Sequence, residues 1–348
     1  MTILYRSVLA MTLVFCWGAL NVVDGQVGSE KKKPVKQLRR ATIGKIEQHD
    51  PAFAELIDTS EKIEVLKGGF KWSEGPVWIK SGGYLLFSDV PKNKIHKWHP
   101  KDGHSVFMNQ SGFEGETRNR EPGSNGLMVD PQGRLVVCDH GNRRVYCVEK
   151  DGTKTTLADN FKGKKFNSPN DLVINANGDI YFTDPPYGLG GRKSELNYFG
   201  VYRLTPDGKI TLMTKELTRP NGIALSPDEK TLYVAQSHKP APIYQSYAIK
   251  ADGTTDNEGK LLFDAGKFAR AGDPGMPDGM CVDVNGNLWA TGPGGVLIIS
   301  PKGKLLGRLN MGQPTANCAW GDDGSTLYIT SNDRLCRVKT KTKGLGFD

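Results

Sequence analysis

The chain has 348 residues, of which 42 are glycine and 20 are proline, together about 18%. This share lies above the roughly 12% of average proteins and below the ~25–30% of low-complexity chains, so it indicates a folded protein with many tight turns. Hydrophobic residues make up 37%, which argues against a disordered chain. Half of the formal net charge of +8 falls within residues 26–50, and no basic stripe interleaved with aromatic residues occurs beyond them. We therefore expect no nucleic-acid partner.

The N-terminus has the pattern of an export signal. Arg6 provides a short positive start, residues 7–20 form an uncharged apolar run, and small residues precede a cleavage site after residue 25. We predict a secretory signal peptide over 1–25 and a basic linker over 26–58, which makes the mature protein periplasmic or secreted. The apolar run is short for a membrane span, so we expect none after cleavage; an uncleaved anchor is the alternative.

Five cysteines follow the signal, and none forms a C-x-x-C motif. Cys138 and Cys147 flank a predicted hairpin whose register would place them opposite each other. An oxidising compartment would permit a disulfide between them. The alternative is that both are small buried hydrophobic side chains.

The region from residue 59 onward is an internal repeat. Six segments share an acid or amide, an apolar run, a turn with Asp, Asn or Gly, and a β-rich run. They start at Glu74, Asn125, Asn170, Asn221, Asp278 and Asn317. Their spacing is typical of the blades of a propeller. We therefore predict that residues 59–348 are all-β, a six-bladed β-propeller with four antiparallel strands per blade.

The last repeat lacks a convincing fourth strand. Residues 61–67 precede the first repeat and resemble the fourth strands predicted at 209–214 and 303–309. We expect this N-terminal strand to complete the last blade, which closes the ring and removes an exposed sheet edge.

The residues that begin the six repeats are all acids or amides. Blade symmetry would bring them together at the channel end of each inner strand. Such residues also cap turns, but six in register, with the carboxylates of Glu74 and Asp278 among them, point to a divalent cation. Hard oxygen donors suit Ca²⁺ or Mg²⁺, and a large, flexible set of amides and waters favours Ca²⁺.

The second strand of each repeat ends on the same face as this ring. There Asp139 and His140 lie beside the ring, and the inserts 185–199 and 237–243 leave from the rim. These inserts are either a lid that sets specificity or simply solvated loops. The residues expected to contact substrate are Asn125, Asn170, His140 and Asn317. For Asn125 and Asn317 the alternative is that they only complete the channel.

Five motifs resemble the SMP-30/gluconolactonase/LRE-like (regucalcin-like) family. They are SEGPVW (73–78), FNSPNDLV (166–173), RPNGIALSPDEKTLYVA (219–235), MPDGMCVD (276–283) and, resembling the bacterial gluconolactonase branch, CDHGNRRV (138–145). The resemblance covers about residues 61–340. It implies a six-bladed propeller, a divalent cation that is commonly Ca²⁺, and hydrolysis of sugar lactones or related esters. Matched by motif, the metal ligands it implies are Glu74, Asn170, Asn221 and Asp278.

From the resemblance we expect a calcium-dependent enzyme that opens small-molecule lactones by polarising the ester carbonyl for attack by water. It implicates Asp278 as the catalytic base, with Asp139 and His140 as further candidates. Animal members carry a substrate-binding Arg two residues before the Asn that matches Asn170; here that residue is Ser168, so their substrate preference does not transfer. The alternatives are a related ester or phosphotriester hydrolase, and a non-catalytic binding propeller with structural calcium.

Overall fold

The computed structural model describes residues 40–115, 121–256 and 258–347. The predicted signal peptide over 1–25 lies outside these residues. The described chain forms six antiparallel blades whose inner strands contact one another in sequence around a closed ring. The prediction of an all-β, six-bladed propeller is confirmed.

Each blade is a sheet that runs from an inner strand at the channel to an outer strand. Blade one comprises Ser73–Ile79, Tyr84–Asp89, Lys94–His99 and Gly103–Asn109. Blade two comprises Ser124–Val129, Leu135–Asp139, Arg144–Val148 and Lys154–Ala158. Blade three comprises Leu172–Ile174, Ile180–Asp184, Gly200–Leu204 and Ile210–Thr214. Blade four comprises Pro220–Leu225, Thr231–Gln236, Ile243–Ala248 and Lys260–Asp264. Blade five comprises Met280–Val282, Leu288–Gly292, Gly295–Ile299, Leu305–Asn310 and Lys45–Gln48. Blade six comprises Asn317–Gly321, Thr326–Ser331, Arg334–Lys339 and Glu64–Gly68.

The remaining elements are short. They are the 3₁₀ helices Pro51–Glu55, Val90–Lys92 and Tyr187–Leu189, the α-helix Gly266–Arg270, and a two-stranded hairpin of Asn160–Phe161 and Lys164–Lys165. Within the described ranges, no helix combines the length and the apolar composition needed to cross a membrane.

The core is divided into six apolar clusters, each packed between neighbouring blades. Inner strands are therefore buried on both faces, and the inner strand Pro220–Leu225 is buried along its whole length. This explains why the apolar runs of the sequence are nearly continuous rather than alternating. Burial of so much apolar surface is the main force that holds the ring together.

Glycine follows the acid or amide in several repeats because neighbouring inner strands approach closely there. A Cβ atom on Gly222 would lie 2.0 Å from the carbonyl oxygen of Asp278 on the next blade. Gly75 has a φ of +50°, and a Cβ atom on it would lie 2.0 Å from the carbonyl oxygen of Asn125. A side chain at either position would force the blades apart. The E-G and N-G pairs of the sequence therefore mark places where neighbouring inner strands approach too closely for a side chain.

The N-terminal strand closes the ring as predicted. Glu64–Gly68 pairs antiparallel with Arg334–Lys339, and Val65 lies opposite Cys336. Because the first and last parts of the propeller share one sheet, that sheet cannot form until the chain ends meet. The closure also covers an edge that would otherwise expose unpaired backbone groups.

A further N-terminal strand lies inside the predicted linker 26–58. Lys45–Gln48 pairs with Leu305–Asn310 as the fifth and outermost strand of blade five. The carboxylate of Glu47 accepts a hydrogen bond of 2.7 Å from Arg308 Nε. Part of the segment predicted as a linker is therefore a strand of blade five. The sequence does not distinguish the two, because a strand paired through charged side chains resembles a solvated basic segment.

The segment after this strand is anchored by an aromatic side chain. Phe53 is fully buried in the cluster between blades five and six. Its ring lies so close to the backbone of Gly307 that a Cβ atom there would come within 2.3 Å of it. Residues 45–57 are thus part of the propeller.

The predicted register of Cys138 and Cys147 is wrong. Cys138 lies opposite Val145, and Cys147 lies opposite Val136. Both thiols are free and buried, which agrees with the alternative of small hydrophobic side chains. The sequence did not single out Cys281 and Cys318, whose Sγ atoms are 3.6 Å apart on neighbouring inner strands.

Candidate functional site

A pocket of about 200 Å³ opens where the inner strands begin. Its wall includes five of the six residues that start the repeats: Glu74, Asn125, Asn170, Asn221 and Asp278. Four of these residues are buried, and Asp278 is half-buried. The structure therefore brings together the four residues predicted as metal ligands, although they are far apart in sequence.

Asn317, the sixth of these residues, does not line this pocket. Its Nδ2 atom donates to Asp171 Oδ2 at 3.3 Å, and its Oδ1 atom accepts from the backbone N–H of Cys318 at 2.8 Å. Both Asn317 and Asp171 line a second, largely apolar cavity of about 400 Å³ further along the inner strands. This placement agrees with the alternative that Asn317 completes the channel and does not contact a substrate.

Glu74 is a buried carboxylate held by two donors. Trp72 Nε1 donates to one oxygen and the backbone N–H of Gly75 donates to the other, both at 3.2 Å. Burial, followed by the nearby Asp171 carboxylate, raises the pKa of Glu74 to about 8 against these hydrogen bonds. The two neutral donors therefore compensate the negative charge of the ionised Glu74 only in part.

Asp278 lies in the same wall and shares this environment. Burial and the carboxylates of Glu74 and Asp171 raise its pKa well above the ordinary value. The side chain of Asn221 donates a hydrogen bond to Asp278. The other atom of that amide, Asn221 Oδ1, is buried with no hydrogen-bond partner in the part of the chain that the structure describes.

These atoms fit a hard divalent cation. Three acids and three amides line the pocket, and none of the described lining residues is a Lys, Arg or His. A bound cation would compensate the buried oxygen of Asn221 that lacks a donor, and also the two carboxylates, whose pKa values are raised by burial and by neighbouring carboxylates. Among the described residues, no cluster of three or more His, Cys, Asp and Glu side chains has metal-binding spacing. The fit therefore rests on a mixed set of Glu, Asp and Asn.

Asp139, predicted as a candidate base, does not line the pocket. Its two oxygens accept hydrogen bonds from the backbone and side chain of Asn142 and from Arg144 Nε. Asp89 and Asp184 end the equivalent strands of blades one and three. They also accept from backbone N–H groups, but these lie in the loop before the inner strand. The repeated Asp therefore holds loops in place, which is a structural function of the repeat.

His140 lies directly behind the pocket and is fully buried. Its Nδ1 atom is 2.9 Å from Glu121 Oε2, and its Nε2 atom is 3.3 Å from Asn170 Nδ2. Both ring nitrogens are therefore within hydrogen-bonding distance of a side chain of the pocket wall: Nδ1 is close to Glu121, and Nε2 is close to the predicted metal ligand Asn170.

Sequence reasoning missed three residues of the pocket wall: Trp72, Val90 and Glu121. Trp72 and Glu121 lie just before the start of their repeats, so an alignment that began at the ring residues did not include them. Tyr187 also lines the pocket, so the insert 185–199 does reach the site. Ser237, at the end of a second strand in blade four, completes the polar part of the wall.

The chain is similar to known proteins over most of its length. Residues 72–333 match the model of the SMP-30/Gluconolactonase/LRE-like region. The chain is 44% identical to a gluconolactonase of Zymomonas mobilis, over 97% of each protein, and 28% identical to regucalcin of Xenopus laevis, over 78% of this chain and 87% of regucalcin.

A solved structure supports the same relationship. The gluconolactonase XC5397 of Xanthomonas campestris superposes with a TM-score of 0.76 at 30% identity, over 87% of this chain and 99% of that one. The family match covers nearly the whole ring, including all the pocket residues described above. The chain belongs to the SMP-30/gluconolactonase/LRE-like family.

Proposed function

We propose that the protein is a calcium-dependent hydrolase that opens sugar lactones. The observation that carries this proposal is the single pocket that joins Glu74 and Asp278 to the amides of Asn170 and Asn221 beside open space. The relationship to gluconolactonases supports the choice of a lactone as substrate. The predicted signal peptide adds the proposal that the enzyme acts outside the cytoplasm.

Four side chains would hold the cation: Glu74, Asn170, Asn221 and Asp278. When bound there, a Ca²⁺ ion supplies a Lewis acid for the carbonyl oxygen of the lactone. The remaining wall can bind a polyhydroxylated ring, because Asn125, Ser237 and Tyr187 offer hydrogen-bonding groups and Trp72 offers an apolar face.

Within this proposal, Asp278 accepts the proton of the attacking water. It is a carboxylate in the pocket wall, as a general base must be. The two other candidates are less suited, since both oxygens of Asp139 and both ring nitrogens of His140 are engaged in hydrogen bonds to protein groups.

The test is hydrolysis of aldono-lactones by the purified protein with calcium and with a chelator. Turnover should require calcium and should fall about 100-fold or more in Asp278→Asn, the usual contribution of a general base. The matched control is Asp102→Asn, whose side chain is 81% exposed on blade one. Hydrolysis of aryl esters or phosphotriesters but not of lactones would assign the related hydrolase. Calcium binding without any turnover would assign the binding propeller.

A further inference from the structure

Three side chains form a continuous hydrogen-bonded chain behind the pocket. Glu121 lies in the pocket wall, and 36% of its side chain is exposed. His140 is fully buried behind the wall. Asn170, on the next blade, lies in the wall again. The contacts are 2.9 Å from Glu121 Oε2 to His140 Nδ1 and 3.3 Å from His140 Nε2 to Asn170 Nδ2. The chain therefore begins and ends at the same pocket.

The order of donors along this chain follows from its geometry. The Nδ2 group of Asn170 faces His140 Nε2 and can only donate, so Nε2 is the acceptor in that contact. The other ring nitrogen, Nδ1, then carries the proton and donates to the carboxylate oxygen of Glu121. The oxygen of the Asn170 amide is left for the pocket.

Close packing holds His140 against the loop that precedes Asn170. Gly188, on the insert 185–199, fits so closely that a Cβ atom there would lie 2.8 Å from the Cβ atoms of both His140 and Ser168. Ser168 is in turn fixed by a 2.6 Å hydrogen bond to the carbonyl oxygen of Pro185. The insert thus clamps His140 against the loop that carries Asn170.

We propose that His140 and Glu121 are positioning residues that orient the side-chain amide of Asn170 with its oxygen toward the cation site. An unrestrained amide could present its NH₂ group instead, which repels a cation. Groups behind a metal ligand that fix its orientation typically change metal affinity 10–100-fold when they are removed. The inference rests on the proposed function for the identity of the ion, whereas the order of donors does not depend on it.

The first test reads the tautomer directly and needs no metal. ¹⁵N NMR of the histidine-labelled full chain, with His140→Leu used to assign the resonance, should show His140 protonated at Nδ1 and unprotonated at Nε2. A ring protonated at Nε2, or at both nitrogens, would overturn the proposal because Asn170 would then present its oxygen to the histidine.

The second test compares two variants of Glu121 that both remove its charge. Glu121→Gln keeps an oxygen that can accept from Nδ1–H, whereas Glu121→Met has a similar length and no such acceptor. By calorimetric titration with Ca²⁺, Glu121→Met should bind at least several-fold more weakly than Glu121→Gln. Equal affinities would show that the hydrogen bond does not matter and would overturn the positioning role.

The third test is a double-mutant cycle with Asn170→Asp, whose two carboxylate oxygens need no orientation. His140→Leu should weaken Ca²⁺ binding 10–100-fold in the natural background and should cause no comparable loss in the Asn170→Asp background. An equal loss in both backgrounds would overturn the proposal. If the natural protein bound no Ca²⁺, the calcium site of the proposed function would fail, and the NMR result would still decide the donor order.

Discussion

Replacing Glu74 by Gln tests the cation site without any substrate. In the metal-free protein, burial and the Asp171 carboxylate raise the pKa of Glu74 to about 8, against an ordinary value near 4.5. The folded state therefore keeps a proton that the unfolded chain releases, and stability falls as the pH rises from about 4.5 to about 8. At pH 7 this destabilisation is on the order of 3 kcal/mol, because each pKa unit corresponds to about 1.4 kcal/mol.

The substitution removes this destabilisation and weakens one contact. Gln has one acceptor oxygen where Glu74 has two, so it loses the hydrogen bond from either Trp72 or Gly75, at about 1 kcal/mol. We expect metal-free Glu74→Gln to be about 2 kcal/mol more stable than the natural protein at pH 7. The assay is urea unfolding in the presence of a chelator. Glu61→Gln, at an exposed position, is the control and should change stability by no more than about 0.5 kcal/mol.

Calcium should reverse the order of the two proteins. A ligand that binds only the folded state at 100 times its Kd adds about 2.7 kcal/mol of stability, and Glu74→Gln should forfeit most of that gain. Two results would refute this reasoning. One is a metal-free variant that is less stable than the natural protein, and the other is a variant that calcium stabilises as strongly as the natural protein.

Two further predictions concern the N-terminal segment. Phe53→Ala should lower the free energy of unfolding by about 3–5 kcal/mol, because Phe53 is fully buried, while Phe107→Ala, at a side chain 42% exposed, should have a much smaller effect in the same urea titration. Similar losses from both would show that residues 45–57 do not pack on the ring. Partial burial would raise the pKa of Glu47, but hydrogen bonds from Arg308 and other donors outweigh it and lower the value to about 2. The stabilisation by Glu47 is therefore present above about pH 4.5 and is lost as the pH falls toward 2. In Glu47→Gln the free energy of unfolding should therefore fall less between these pH values than in the natural protein. An equal fall in both proteins would contradict the ion pair between Glu47 and Arg308.

Much of the architecture could be predicted because local sequence patterns specify it. The spacing of the repeats, their turn residues and their continuous apolar runs indicated six blades, and the missing last strand indicated the closure by residues near 64–68. The same alignment selected five residues of the pocket wall. Repetition made this possible, since six copies of one pattern separate a symmetric position from ordinary turn chemistry.

The contacts of individual side chains could not be predicted, because sequence patterns show that a polar residue recurs but not what it faces. Asp139 and Asn317 recur like the other ring and rim residues, yet one ties down a loop and the other pairs with Asp171. Glu121 lies in the pocket although it has no counterpart in the repeat.

By itself, then, the sequence determined the number of blades, the order of strands and the group of acids and amides at the channel, because these follow from period and residue type along the chain. Only the tertiary structure decided that the strand Lys45–Gln48 belongs to blade five and that His140 stands between Glu121 and Asn170. These contacts depend on burial and on hydrogen bonds between segments that only the folded chain brings together. The separation of two residues along the chain does not specify their distance in the fold.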